Sequence, residues 1–339
     1  MQTRTTLADV AKKAGVNVST VSRSLNRKTE GQVSKATVKK IRKIAEEMQY
    51  TPNTVARGLR TRKSMTIGVI VPDLTNPIFP PIVRGIDSIL FSRGYSALVV
   101  NTDNNAEIED ALFDSLMERQ VDGLIIATGH TERSMMAKYH NQGVRAVLVN
   151  REASGVPYPS VIGDDAAGIT AALEYLVKLG HKKILHLAGP SLLSTSSVRS
   201  TAFSNTSKRL GLTTKIIKAT ALSVAAGEIA MNKFLDTSPK SVTAVLAGND
   251  LLALGIFHAL RKHGLKAPQD MSVIGFNDMP FSEDFSPSLT TVSAPHFEMG
   301  AESARLLINQ IENKGSGPKK ITLPVNLVVR ESSGPAPKK

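Results

Sequence analysis

Two hydrophobic rhythms divide the chain. Up to about residue 50 the apolar positions recur at helical spacing. Leu7, Val10, Ala11 and Ala14 follow i, i+3, i+4, i+7, which puts one apolar stripe on a short helix. Thr6 and Asp9 have the spacing of a capping box at its start, and Gly15 can turn the chain cheaply after its end. Val21 and Leu25 face inward on a second helix that Asn17 or Ser19 can cap. Ser34 can cap a third, running to about Met48 with Val38, Ile41, Ile44, Ala45 and Met48 on one face.

From Thr66 onward short apolar runs alternate with longer amphipathic stretches. Strands are predicted over 66–71, 97–101, 123–127, 146–150, 184–188, 244–247 and 272–276, and helices over 79–93, 107–119, 166–179, 250–263 and 297–312. Strand-then-helix alternation predicts parallel sheets with helices on both faces, and continuously apolar strands fit that burial. A length of 339 residues is too long for one compact core.

Charge sharpens the division. Residues 1–63 hold 15 basic and 4 acidic residues, +11 of the chain's net +13, while the remaining 276 residues are nearly neutral. A basic surplus confined to one end is the footprint of a polyanion-binding module. An Ala-rich first helix is a poor membrane binder. On the third helix, Lys35, Lys39, Lys40, Arg42 and Lys43 either form a solvated face or touch phosphates. The absence of cysteine excludes disulfides and thiolate chemistry. The first ten residues contain no secretory apolar core, and no apolar run approaches a membrane span, so a cytoplasmic protein is expected. No Walker-A loop, Gly-x-Ser-x-Gly elbow, dinucleotide glycine fingerprint or His-Glu-x-x-His helix occurs, and the seven histidines are scattered. Neither enzyme chemistry, nor a metal, nor a cofactor is expected.

Residues 6–26, TLADVAKKAGVNVSTVSRSLN, resemble the headpiece of the LacI/GalR family of bacterial transcription regulators. The resemblance continues through IGVIVPDLTNPIF, NTDN, VDGLII, LGHKKILHLAGP, AVLAGNDLLALGI, SVIGFND and SPSLTTV. It implies an all-α helix-turn-helix headpiece with a hinge helix, followed by a periplasmic-binding-protein-like α/β domain of two doubly wound, parallel-sheet lobes. The implied layout is a headpiece over 1–50, a hinge over 51–63 and an effector-binding and dimerisation domain over 64–330. Its first lobe would take about 64–162 and 293–324, its second about 163–292 and 325–330, leaving 331–339 as a disordered tail. That tail has no leucine heptad, so a homodimer is expected rather than a coiled-coil tetramer.

By the same resemblance the protein is expected to be a repressor that binds pseudo-palindromic double-stranded operator DNA and no membrane. Thr6, Asn17, Val18, Ser19, Thr20, Ser22, Arg23 and Asn26 are its expected headpiece contacts. Asn53, Ala56 and Leu59 are those of the hinge, with Leu59 wedged into the minor groove. A flexible basic linker is the alternative reading of the hinge segment. The expected small-molecule effector, sugar-like or otherwise polar, has as candidate partners Asp73, Asn76, Phe79, Asn150, Arg151, Ser197, Arg199, Leu222, Asn249 and Asn277. Asn249 can equally cap the helix after it, Asn150 and Asn277 can be turn residues, and Arg199, read as beginning a helix, can serve a structural ion pair. The chain departs from its relatives at Ser197, where many carry a second arginine, and at Leu222, where several carry an aromatic ring. Asn277 stands where aspartate is usual, and Ala202 where glycine is common. A solute-binding receptor or a sugar-acting enzyme without a DNA role are the rival classes.

Overall fold

The computed structural model describes residues 5–26, 29–51, 63–128, 134–153, 155–238, 242–313 and 319–337. The chain forms two compact units, Met1–Ser64 and Met65–Lys339. Among the described residues no helix is long and apolar enough to cross a membrane.

The first unit holds three helices, α1 (Leu7–Ala14), α2 (Val18–Leu25) and α3 (Lys35–Glu47). The capping box forms in full: Thr6 Oγ1 accepts from Asp9 N at 3.3 Å, and Asp9 Oδ2 accepts from Thr6 N at 2.9 Å. Gly15 ends α1 in the left-handed region at φ +69° and returns its N–H to Lys12 O. Asn17 occupies the N-cap of α2 without a side-chain cap bond, whereas Ser34 caps α3 by accepting from Thr37 N at 3.2 Å. The segment between α2 and α3 contains a 3-10 turn over Glu30–Gln32. Val10, Ala11, Ala14, Val21, Ile41 and Ala45 form the small core. Lys40 ties α3 to α1 by donating to Ala14 O at 2.9 Å.

The second unit contains two six-stranded sheets. In the first lobe β1 (Thr66–Val71), β2 (Ser96–Asn101), β3 (Gly123–Ile126), β4 (Ala146–Val149), β5 (Ser160–Gly163) and β11 (Lys320–Leu323) run in the order β11-β5-β4-β3-β1-β2, all parallel. Helices α4 (Phe79–Ser92) and α11 (His296–Ile311) cover one face; α5 (Ala106–Glu118) and α6 (Ser134–Asn141) cover the other. The two covering helices α4 and α11 touch backbone to backbone. A Cβ at Gly85 would run into the carbonyl oxygen of Phe297, and one at Gly300 into that of Ile82.

The second lobe repeats the plan. Its strands β6 (Lys183–Ala188), β7 (Thr213–Lys218), β8 (Ala244–Ala247), β9 (Ser272–Asn277), β10 (Thr290–Ser293) and β12 (Asn326–Val328) run β12-β10-β9-β8-β6-β7, parallel except for the β10–β12 pair. Here α9 (Val224–Thr237) and α10 (Asp250–Lys262) cover one face, α7 (Asp165–Lys178) and α8 (Ser194–Arg209) the other. The chain passes between sheets three times: after β5, after β10, and from β11 to β12. In each sheet the strand order reverses beside the lobe's first strand, and such switch points place ligands beyond the strands' carboxyl ends.

Residues 331–337 are not the disordered tail of the expected layout, which spanned 331–339. They strap the second lobe. Val273 N donates to Ser332 O at 2.8 Å, Ser332 N to Ser288 O at 2.9 Å, and Ala336 N to Leu179 O at 2.8 Å. Ser332 is fully buried, and His181 holds Gly334 O through Nε2 at 3.0 Å. A segment of Ser, Gly and Pro offers little apolar surface, so hydropathy misses it; its order comes from hydrogen bonds that satisfy both strap and lobe.

Candidate functional site: a donor-lined cleft and an exposed recognition helix

Seven of the ten residues named for the cleft converge on one cavity between the lobes. Asn76, Asn150 and Arg151 approach from the first lobe, and Arg199, Leu222, Asn249 and Asn277 from the second, around a narrow cleft. Asn277 ends β9, Arg199 stands on α8, and the other five sit in segments that follow the carboxyl ends of strands. Asn150 and Asn277 take the left-handed region, at φ +65° and +114°, so turn geometry and cleft position coincide in them. Asn249 likewise serves twice: its Oδ1 caps α10 by accepting from Leu252 N at 2.9 Å, and it lines the cavity.

Three of the ten lie elsewhere. Phe79 is fully buried in the apolar core of the first lobe and spends its ring on packing. Asp73 closes a local turn, its Oδ1 accepting from Thr75 N at 2.8 Å. Ser197 is exposed. On α8 it sits two residues from both Thr195 and Arg199, and a helical step of two points away from the face those residues share. Helix α8 begins at Ser194, so Arg199 stands in its second turn rather than at its start. Ile78 and Thr195 line the cavity without having been singled out from sequence. The i, i+4 spacing of Thr195 from Arg199 was the available signal, hidden in a Ser/Thr-rich stretch.

Arg199 is held on three sides. Nη1 donates to Gly248 O at 2.6 Å, Nη2 to Asp165 Oδ1 at 3.1 Å and to Asn277 Oδ1 at 3.4 Å, and the guanidinium covers the Phe276 ring. The ion pair and the cleft position are therefore both real. Arg151 donates from Nη1 to Thr128 O at 2.8 Å, and the Thr128 hydroxyl donates to the buried Glu109 at 2.9 Å. Burial, reinforced by the nearby charge of Arg199, pulls Arg151 down to about 10. Burial pushes Asp165 up, opposed by Arg199. Asp250 lies behind the cleft, accepting from Thr291 Oγ1 at 2.6 Å and Met279 N at 2.8 Å, and burial pushes it up to about 7. His296, at the return crossing, is buried and pulled down to about 4 by burial and then by Arg199. Across the lobes, Glu152 N donates to Ser194 Oγ at 3.0 Å.

In the headpiece Val21 is fully buried, while Asn17, Val18, Ser19 and Arg23 are exposed. Val18 is 46% exposed. Thr20, Ser22 and Asn26 are half-buried. The Thr6 hydroxyl is engaged with Asp9 and holds that carboxyl below its usual value, although Thr6 itself is exposed. Of the basic residues on α3, Lys40 is bonded to Ala14 O and Arg42 is paired with Glu30, which leaves Lys35, Lys39 and Lys43 on the exposed surface. Asn53, Ala56 and Leu59 lie outside the described residues.

A helix-turn-helix unit with a basic exposed surface, joined in one chain to a two-lobed α/β module with a polar cleft, defines a ligand-responsive DNA-binding protein. Comparison with known proteins makes the class specific. Residues 6–53 match the bacterial regulatory proteins of the lacI family, and residues 64–331 match the periplasmic binding proteins and sugar binding domain of LacI family. The HTH-type transcriptional regulator DegA of Bacillus subtilis is 33% identical over 337 residues, covering 98% of this chain and 99% of its own. The ribose operon repressor of Halalkalibacterium halodurans is 32% identical over 329 residues, 97% of each chain. A crystal structure of the lac repressor dimer bound to operator and the anti-inducer ONPF matches with a TM-score of 0.87 at 28% identity, covering 98% of this chain and 100% of that one. The chain belongs to the LacI family. It is a sequence-specific DNA-binding transcription regulator and not an enzyme.

Proposed function

We propose that this regulator acts as a homodimeric repressor on a pseudo-palindromic operator, with operator affinity set by a small polar metabolite bound in the cleft. The observation that carries the effector half is the convergence of Asn76, Asn150 and Arg151 with Arg199, Asn249 and Asn277 on one cavity between two lobes. Such a site changes shape when the lobes move, and a ligand shifts that equilibrium by its differential affinity for the two arrangements.

For the DNA half, Val18, Ser19 and Arg23 face base edges, with Asn17 beside them and Thr6, Thr20, Ser22 and Asn26 in support. Asn53, Ala56 and Leu59 contribute a hinge, with Leu59 in the minor groove. A single helix-turn-helix makes a small interface, and a two-fold axis doubles it. The lac repressor structure contains a dimer on operator, which supports this reading. The deciding experiment selects DNA bound by the full chain from random sequence, with and without a pool of small metabolites. A palindromic consensus whose recovery changes with the pool is the expected result; ligand binding with no DNA consensus would instead indicate a solute receptor.

A further inference from the structure

The polar lining of the cleft is one-sided in its hydrogen bonding. Asn76 Oδ1 accepts from Ile78 N at 3.3 Å, and Asn249 Oδ1 accepts from Leu252 N at 2.9 Å. A backbone N–H only donates, so in both side chains one lone pair of the oxygen is engaged and the amide is oriented with its NH2 group free to donate to a ligand. Asn277 Oδ1 takes a hydrogen bond from Arg199 at 3.4 Å, with the same consequence for its NH2 group. Arg151 and Arg199, each only 4% exposed, both keep a buried Nε–H with no partner among the described residues.

Charged acceptors are missing from the same wall: among the described residues no carboxylate lines the cavity, and the acceptors that Asn150 and Thr195 add to it are neutral. The acids that balance the two arginines stand off the lining: Asp165 bonds Arg199, and Glu109 reaches Arg151's neighbour Thr128. Asn277 occupies a strand end at which a carboxylate would have supplied an acceptor. A neutral sugar offers hydroxyls that must donate as well as accept, and here their protons meet only neutral acceptors. An oxyanion only accepts, and it does so in the stronger, charge-assisted form.

We propose that the effector carries an oxyanion, a carboxylate or a phosphate, held by the guanidinium groups of Arg151 and Arg199 and by the NH2 groups of Asn76, Asn249 and Asn277. This inference rests on the cleft being the effector site and adds the chemical class of its ligand. The two arginines come from different lobes, so one oxyanion bridging them also fixes the lobes against each other. Asp165 and Glu109 then act as supports that keep each guanidinium charged and oriented before the ligand arrives.

The test uses the full-length protein, without DNA, in isothermal titration at constant ionic strength. The probes are D-ribose, D-ribose 5-phosphate and D-ribonate, a matched neutral, phosphate and carboxylate series. At least one anion is expected to bind roughly tenfold or more tightly than D-ribose, and the two anionic arms tell phosphate from carboxylate. Because the headpiece is basic, Asn76→Asp locates the binding: it keeps the acceptor for Ile78 N but replaces the NH2 donor by a negative oxygen. It should weaken the anion roughly tenfold or more and narrow or reverse its advantage over D-ribose. Arg151→Gln, with thermal unfolding as a folding control, should weaken the anion likewise. D-ribose matching or outbinding both anions overturns the oxyanion while leaving the cleft reading intact. Anion affinity unchanged in both variants places the binding elsewhere and overturns it too. Silence from both anions also overturns it; the cleft reading then answers to the operator selection, which depends on none of these compounds.

Discussion

The guanidinium of Arg199 lies over the ring of Phe276, its central carbon 3.7 Å from the ring centroid. Stacking and the Asp165 pair share one buried cation, so the arginine proposed to hold the effector is also part of the second lobe's structure. Removing the cation strands Asp165 in a buried position, a loss of about 3–5 kcal/mol for a pair of this kind. Arg199→Ala is expected to lower unfolding stability by that order in denaturant titration. Adding Asp165→Asn to the same chain should restore more than half of the loss, because the uncompensated charge is then gone. If the double variant is as unstable as the single one, the pair carries little of the energy and the stacking carries most.

Arg23 and Lys39 are both exposed, yet they should behave differently on DNA. A bidentate arginine–guanine contact is worth ~1–3 kcal/mol of discrimination. Arg23→Ala should relax one symmetric base position in the selected consensus. Lys39→Ala should weaken all sequences alike and flatten the dependence on salt, as loss of one phosphate contact does. An unchanged consensus from Arg23→Ala would displace α2 from the role of reading helix.

Leu59 tests the hinge segment. As a minor-groove wedge, its replacement by alanine should reduce DNA bending and specific affinity while leaving weak binding to random DNA nearly as it was. Bending is measured by gel-shift phasing, and affinity by titration on both DNAs. Equal loss on the two would reduce the segment to a basic tether.

Burial pulls His186 and His296 down to about 4, against 6.5 for a free imidazole. Between those values the unfolded chain binds more protons, so folding stability is full above pH 6.5 and falls as the pH drops toward 4. Each histidine accounts for about 3 kcal/mol at the acid end of the window. Asp250, pushed up to about 7, works in the opposite sense: its contribution is present at low pH and is lost as the pH rises through about 7. Asp165 is pushed up as well, but against the opposing pull of Arg199, so the two histidines set the net sign and an acid loss is expected in unfolding titrations. His186→Gln should shrink that loss; a wild-type chain that gained stability from pH 6.5 to 4 would contradict the buried-imidazole account.

The strap gives a prediction on the fold itself. A chain ending after Arg330 loses the bonds to Val273, Ser272, His181 and Leu179. The second lobe should then unfold several degrees lower, read by calorimetry on the otherwise complete protein, since losses of a few kcal/mol move a domain of this size by roughly 2–4 °C per kcal/mol. An unchanged transition would mean that the strap rests on the lobe without stabilising it.

The legible part of the molecule was the part written in hydropathy and capping. α1 and α3 begin where Thr6 and Ser34 allow, and strands such as β8, AVLA, are apolar because both faces are covered. Helix α8 was legible only in part, read as starting at Arg199 rather than Ser194: STSSVRSTAFSNTSKR has a single large apolar side chain in its core contact, Phe203, and many residues that compete with their own backbone. Strand β7 is an edge, nearly all exposed, and gives no apolar run. In the cleft, polar residues at strand ends could be named from sequence, but not which way a helix turns them. That is why Arg199, named from sequence, lines the cavity, Thr195 lines it unnamed, and Ser197 lies outside it. Phe79, also named, spends its ring in the core of the first lobe.

The three passages between sheets have a consequence during synthesis. The headpiece is translated first, and its core contacts lie within its own sequence. The first lobe, begun next, still lacks α11 and β11 when strands β6 to β10 of the second lobe have been made, because both belong to it and lie after β10, and the second lobe itself waits for β12. Domains are made in order from the amino end. A ribosome halted anywhere before residue 323 therefore leaves a DNA-reading end attached to a sensor with neither lobe closed. A prematurely terminated message would accordingly yield a folded headpiece joined to a module whose two sheets are both incomplete.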